Sequence, residues 1–97
     1  MSLFKSKLTP EQKGVLEHER THGRYAKNAW DNYLKDLLQG RRDEIFDTFR
    51  KTRPDNVDQI VILRHLLAAV DDIERAVLID IERGEYAAKQ LNEDIHD

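Results

Sequence analysis

The sequence contains no cysteine, so neither a disulfide framework nor a thiolate metal site is available to it. It also lacks an apolar run as long as a membrane span, and its first residues lack the apolar block of a secretory signal. We therefore expect a protein that is cytosolic or assembled in the cytosol. Its 97 residues suffice for a single domain with one modest core.

Proline and glycine are scarce, and the longest stretch without either residue runs from Asp55 to Arg83, between Pro54 and Gly84. Apolar residues recur there at alternating steps of three and four, which predicts a helix with one core-facing seam. This seam consists of Ile60, Leu63, Leu67, Val70, Val77 and Ile81. Glu74 occupies the one interior seam position that the pattern reserves for an apolar residue. Its carboxylate therefore needs water or a basic partner, for which a residue of the N-terminal half is suited.

A second apolar row lies beside the seam and consists of Ile62, Leu66, Ala69 and Ile73. Together the seam and the row are wider than the apolar stripe that a helix needs against one neighbour. The helix is then either the centre of a monomeric bundle or a helix with one row left for another subunit or a different protein. Leu3 and Phe4 are the apolar anchors of residues 1–8, a segment that either frays or docks on a partner.

The remaining signals predict an all-α fold, a small antiparallel helical bundle of three main helices with a short C-terminal helix. No period-two alternation indicates a strand. The helices are expected near residues 10–38, 42–52, 56–83 and 85–92, with the first helix and the long helix forming the main hairpin. We expect a single helical domain over residues 1–97, with a flexible arm at 1–8 and a frayed tail at 93–97.

Local signals set these boundaries. Thr9 and Gln12 form a capping-box pattern that starts the first helix, and Asp55 is the expected cap of the long helix. Gly40 is the glycine expected just past the end of the first helix. Gly23 lies inside that helix, where the close packing of a neighbour is the favoured explanation.

Aromatic residues follow helical spacing in two places. Trp30 and Tyr33 have the spacing of an ordinary core face, although such side chains also dominate binding energy where an interface desolvates them. Ile45, Phe46 and Phe49 give the second predicted helix an apolar face. In both places, the core interpretation is favoured.

One motif suggests metal chemistry, because His18, Glu19 and His22 match H-E-x-x-H. On a helix the two imidazoles lie one turn apart, as zinc requires, and the glutamate between them could act as a general base. Charged neighbours surround the motif, namely Glu17, Arg20 and Arg24. The chain also lacks the third histidine of the longer metzincin signature, and nothing in the spacing of Glu44 singles it out as a third ligand. A polar surface patch is the favoured interpretation, with His18 and His22 the ligands if any metal binds.

Nucleic-acid binding is a further alternative, since basic residues neutralise phosphate. The basic cluster consists of Arg41, Arg42, Arg50, Lys51 and Arg53. Acidic residues lie among them, and the nearby Phe46 and Phe49 have core spacing, so we expect no nucleic-acid partner. No nucleophile with a credible base and no phosphate-binding loop occurs, and we expect neither enzymatic activity nor a cofactor.

Charge is divided unevenly along the chain. Residues 1–53 hold twelve Lys and Arg against eight Asp and Glu, whereas residues 54–97 hold four against eleven. The two halves therefore carry +4 and -7. These opposite charges either pair within one bundle, which is the favoured interpretation, or orient the association of copies.

The N-terminal third resembles the opening of small all-helical structural and accessory proteins of tailed bacteriophages and prophages. The residues that resemble them are Lys7-Leu8-Thr9-Pro10-Glu11-Gln12, Leu16-Glu17-His18-Glu19-Arg20 and Gly23-Arg24-Tyr25-Ala26-Lys27 leading to Ala29-Trp30. This resemblance implies a virion or assembly component that binds portal, tail or capsid proteins, and it carries no functional residue across.

The function that we expect is non-enzymatic protein–protein interaction, as a phage structural or assembly accessory. The interaction residues would be the second row of the long helix and the arm residues Leu3 and Phe4, and the partners would be copies of the chain, phage structural proteins, or both. The alternative is a phage-encoded regulator or inhibitor that binds a host protein or defence complex. A zinc-binding protein using His18 and His22 ranks third.

Overall fold

The computed structural model describes residues 7–96, and the side chains of residues 7–94. It contains helix α1 (Pro10–Ala29), a π-helical segment (Trp30–Leu34), helix α2 (Lys35–Lys51) and helix α3 (Val57–His96). No strand occurs in this part of the chain. The all-α prediction is therefore confirmed. Within the same residues, no helix is long and apolar enough to cross a membrane.

The bundle of three main helices with a short C-terminal helix is a wrong prediction. Helical structure runs without a break from Pro10 to Lys51, through Gly40, and α3 runs through Gly84 to His96. Neither glycine adopts a positive φ. Glycine costs a helix about 1 kcal/mol relative to alanine, but it ends a helix only where the backbone turns left-handed, so these two glycines do not act as stops. The predicted frayed tail is helical as far as His96.

The predicted beginning of α1 and the break at Pro54 are confirmed. The Gln12 amide donates to Thr9 Oγ1 at 3.1 Å and the Thr9 amide donates to Gln12 Oε1 at 2.9 Å, which is the reciprocal capping box. At the start of α3, however, the Gln59 amide donates to Asn56 Oδ1 at 3.3 Å. Asn56, and not Asp55, therefore caps this helix.

The chain divides into two compact units. Among the described residues, the terminal unit comprises residues 7–28 and 77–96, and the central unit comprises residues 29–76. In the terminal unit, α1 runs antiparallel to the C-terminal part of α3, because Lys13 lies 3.6 Å from Asp94 and His22 lies 3.2 Å from Asp80. In the central unit, α2 runs antiparallel to the N-terminal part of α3, to which the turn at residues 52–56 connects it.

The core of the central unit forms around the predicted seam of α3. Leu63 and Val70 are buried against Leu38 and Ile45 of α2. Partly buried apolar side chains pack against this cluster, namely Trp30, Phe49 and Leu67. Tyr33 and Phe46, both assigned to core faces from their spacing, are instead 64% and 47% exposed.

The π-helical segment explains how the residues before α2 stay on the helix face that packs against this core. Trp30, Leu34, Leu38 and Arg42 are separated by three successive four-residue steps, yet all four are at least partly buried. In an α-helix each such step advances about 40° beyond a full turn, which would carry the row away from α3. A π-helix has more residues per turn, so the segment absorbs this rotation and keeps Trp30 on the core.

The terminal unit packs more closely because small residues lie between its helices. Gly23 of α1 meets Gly84 of α3, so the prediction that a neighbour packs closely on Gly23 is confirmed. Ala87 and Leu91 are buried farther along α3. Asp94 Oδ1 accepts hydrogen bonds from the amides of residues 7 and 8, which ties this stretch of the predicted arm to α3.

Candidate protein-interaction surface

The second apolar row of α3, which we call the apolar row, lies on the surface of the central unit. Ile62, Leu66 and Ile73 are 52%, 49% and 50% exposed, and Ala69 between them is exposed as well. The adjacent seam residue Leu63 is only 3% exposed. The helix therefore uses one of its two apolar faces against α2 and leaves the other open.

Three residues of the apolar row, Leu66, Ala69 and Ile73, form one wall of a groove between α2 and α3. The groove has a volume of about 330 Å³, and its lining comprises Arg41, Glu44, Ile45, Leu66, Ala69, Val70 and Ile73. On the α2 side, an ion pair lies beside the apolar Ile45, and in it Arg41 Nη1 donates to Glu44 Oε2 at 3.1 Å. The groove thus has an apolar centre and a polar rim. Protein–protein interfaces typically combine an apolar core with a solvent-accessible polar rim.

An ion-pair network lies within the central unit. Arg42 donates to Asp71 Oδ1 from Nε at 3.1 Å and from Nη2 at 3.0 Å, and the same Nη2 also donates to Glu74 Oε2. The Arg42 side chain is 15% exposed and that of Glu74 is 30% exposed. Arg42 thus supplies the cation that the seam position of Glu74 requires, and it comes from the N-terminal half of the chain. Glu74 is partly, not fully, buried.

The network also raises the pKa of its guanidinium. The hydrogen bond that Arg42 donates to Asp71 is the main cause, and Glu74 adds to the shift against the opposing effect of desolvation. The two carboxylates of α3 therefore share one cation. Arg42, Asp71 and Glu74 thus partly neutralise one another at the contact between α2 and α3.

The H-E-x-x-H motif lies on α1 in the terminal unit. The His18 and His22 rings stack with centroids 6.2 Å apart, and His22 Nε2 lies 3.2 Å from Asp80 Oδ2. These residues line a shallow pocket of about 120 Å³ with Glu19 and Arg83. Among the described residues, no group of three or more His, Asp or Glu side chains is arranged to hold a metal ion. The geometry is that of a polar surface patch with one interhelical hydrogen bond.

The basic cluster of α2 is matched by carboxylates. Arg50 and Lys51 both pair with Asp47, at 3.2 and 2.8 Å. Arg53 pairs with Asp55 at 3.4 Å. Because Arg41 and Arg42 also have acidic partners, a phosphate would have to compete with an internal carboxylate at every member of the cluster.

Sequence reasoning missed a second apolar groove, which lies in the terminal unit. It has a volume of about 400 Å³, and its apolar lining includes Leu8, Val15, Leu16 and Tyr86. Val15 and Tyr86 are 59% and 62% exposed. Leu8 precedes α1, and Val15 and Tyr86 lie on different helices, so no apolar periodicity within one helix could indicate this groove. Leu3 and Phe4, the predicted arm residues, lie outside the described residues.

No family model, no curated protein and no solved structure matches the chain. The function must therefore be inferred from the surface itself.

Proposed function

We propose that this protein is a non-enzymatic protein–protein interaction module whose contact surface is the apolar row of α3. One observation supports the proposal above the others. Ile62, Leu66 and Ile73 each leave about half of their surface in water, in line along one helix face. Scattered exposed apolar side chains are common on proteins, but a contiguous row beside a groove is characteristic of a binding site.

The chemistry of the described residues also favours binding over catalysis. The most strongly paired groups, Arg42 with Asp71 and Glu74, are held in a closed ion-pair network. The His22 ring is engaged with Asp80. None of these groups combines a nucleophile with a base at the edge of a substrate-sized cavity, which is the arrangement that a hydrolase or transferase needs.

The biological setting of the proposal comes from the resemblance of the N-terminal third to structural and accessory proteins of tailed bacteriophages. In that setting the protein is a virion structural or assembly accessory that binds portal, tail or capsid components. Mass spectrometry of purified particles would test this setting, because an accessory is retained in particles in many copies. An inhibitor of a host protein would be absent from particles, and that result would contradict the virion setting.

Site-specific photo-crosslinking tests the binding surface. A photoreactive amino acid at Ile62 or Ile73 should give discrete protein adducts in the producing cell. The matched control is Arg64, which is exposed on α3 one residue beyond the buried Leu63 and outside the apolar row. Adducts from the row and none from Arg64 would support the proposal. If Ile62, Ile73 and Arg64 all gave no adduct, the proposal would be wrong.

A further inference from the structure

We propose that the partner of the apolar row is a second copy of this chain, docked antiparallel about a two-fold axis. This inference rests on the proposed function and names its partner. The axis would pass near Leu67 and Ala68, midway along the row. The contact would be isologous, because each copy would offer the same four residues.

The spacing of the apolar row fits such a contact. Its four residues, Ile62, Leu66, Ala69 and Ile73, are separated by steps of four, three and four, a sequence that reads the same in both directions. An antiparallel two-fold pairing therefore places Ile62 against Ile73 of the partner subunit and Leu66 against Ala69 of the partner subunit. Large residues then meet small ones at the centre, which lets two helices interdigitate. A parallel pairing would instead set Ala69 against itself and leave a gap.

The polar residues beside the row favour the same orientation. His65 and Asp72 each precede a row residue by one position and lie exposed along one flank. In an antiparallel helix pair, flanking residues of this kind face each other, so His65 meets Asp72 of the partner subunit, and the pair occurs twice. Asp72 already pairs with Arg75 at 3.2 Å, but both side chains are about 70% exposed, so this contact leaves Asp72 accessible.

The small core of the central unit leaves apolar surface exposed, and burial of that surface would drive the association of two copies. The buried cluster of this core consists of only four residues, Leu38, Ile45, Leu63 and Val70. Two helical segments leave much apolar surface in water, whereas four helices enclose a core on several sides. A second copy would bring two more segments to the open face of α3 and cover the groove lined by Ile45, Leu66 and Ile73.

The absence of cysteine makes the register directly testable. We would prepare Ile62→Cys and Ile73→Cys chains separately, mix them, and oxidise them or treat them with a short bismaleimide. The antiparallel contact predicts a crosslinked dimer in the mixture and little crosslinked dimer in either chain alone. The reason is that position 62 of one copy would face position 73 of the other. Arg64→Cys, mixed with the same partners, is the control and should not crosslink.

Sedimentation equilibrium of the untagged protein gives the second readout. The wild-type chain should form a dimer, and Leu66→Glu should weaken the dimer by more than about tenfold, since it places a charge at the centre of the contact. His65→Asp should weaken it less, and the exchange His65→Asp with Asp72→His should restore it, because that double variant recreates both flanking pairs. Helical circular dichroism would verify that each variant is folded.

Three results would overturn the inference: a monomer at every concentration, a dimer that Leu66→Glu leaves unchanged, or strong crosslinking of Ile62→Cys to itself. The photo-crosslinking experiment separates its failure from failure of the proposed function. A monomer that forms adducts from Ile62 with another protein would refute self-association and leave the interaction module standing. A monomer that forms no adduct would refute both.

Discussion

Gly23 of α1 and Gly84 of α3 touch through their backbones. A Cβ built on Gly23 would lie 2.6 Å from Gly84 Cα and 3.0 Å from the Asp80 carbonyl oxygen, and a Cβ on Gly84 would lie 2.6 Å from Gly23 Cα. Real side chains do not approach backbone atoms this closely. The terminal unit therefore depends on the absence of a side chain at two positions on facing helices.

Gly23→Ala should destabilise the protein by about 1–3 kcal/mol, because relieving the clash requires the two backbones to separate. The control is Gly40→Ala, where a Cβ meets nothing within 4 Å, so the substitution should stabilise the protein by about 0.5–1 kcal/mol. Urea unfolding of both variants measures these changes. Equal effects at the two positions would contradict the close contact.

The same contact predicts strong coupling between the two glycines. Gly84→Ala should also destabilise the protein, but the double variant Gly23→Ala with Gly84→Ala should cost less than the sum of the two single variants. Once one methyl group has separated the helices, the second meets less resistance. A double-mutant cycle from the same unfolding curves gives the coupling. Strict additivity would mean that the helices relax independently around each glycine.

Arg42→Met should lower the melting temperature by several degrees, because Asp71 and Glu74 would lose the cation that they share at a partly buried helix contact. Adding Glu74→Leu should recover the loss, since leucine at that position completes the apolar seam of α3. The matched control is Arg41→Met. Arg41 is 60% exposed in its pair with Glu44, so its replacement should change the melting temperature little. A greater loss in the double variant would contradict the seam assignment.

The exposed pair of Asp47 and Lys51 predicts a pH dependence. The hydrogen bond that Lys51 donates to Asp47 lowers the pKa of Asp47, with help from Arg50, and the same hydrogen bond raises the pKa of Lys51. A lowered carboxyl pKa stabilises the fold above the unfolded value of about 4, and this contribution is lost as pH falls through the folded value. A raised lysine pKa stabilises the fold below the unfolded value of about 10.4, and this contribution is lost as pH rises through the folded value.

Asp47→Asn should therefore lower the unfolding midpoint slightly at neutral pH and have no effect in strong acid. The difference should be small because both side chains are substantially exposed, and it should shrink in about 1 M salt, where screening is strong. Urea titrations of wild type and variant across the acid range measure it. A difference that persisted in strong acid would mean that Asp47 acts through packing and not through its charge.

Zinc should not stabilise the protein. A metal bound to the folded state at about 100 times its dissociation constant would raise the free energy of unfolding by about 2.7 kcal/mol, which thermal denaturation would detect. His22 is instead hydrogen-bonded to Asp80, and no three His, Asp or Glu side chains of the described residues are grouped to hold a metal ion. We expect the melting temperature of the untagged protein to be unchanged by zinc. A shift that His18→Ala and His22→Ala abolished would revive the metal site.

Local sequence signals were sufficient to predict features that depend only on neighbouring residues. The capping box of Thr9 and Gln12, the break at Pro54 and the seam through Leu63 and Val70 each depend on a few neighbouring residues, and the structure has all three. The seam also pointed to a basic partner for Glu74. It could not identify Arg42, because the choice among many basic residues depends on how α2 lies against α3.

The sequence by itself therefore determined that the chain is helical, where its first helix begins and which face of α3 is buried, since propensity, capping and apolar periodicity act within a few turns. Only the tertiary structure decided that Gly84 packs against Gly23 and does not end a helix. It also decided that Tyr33 and the apolar row are exposed to solvent. Those outcomes depend on where a second helix lies, and helix packing joins residues far apart in the chain.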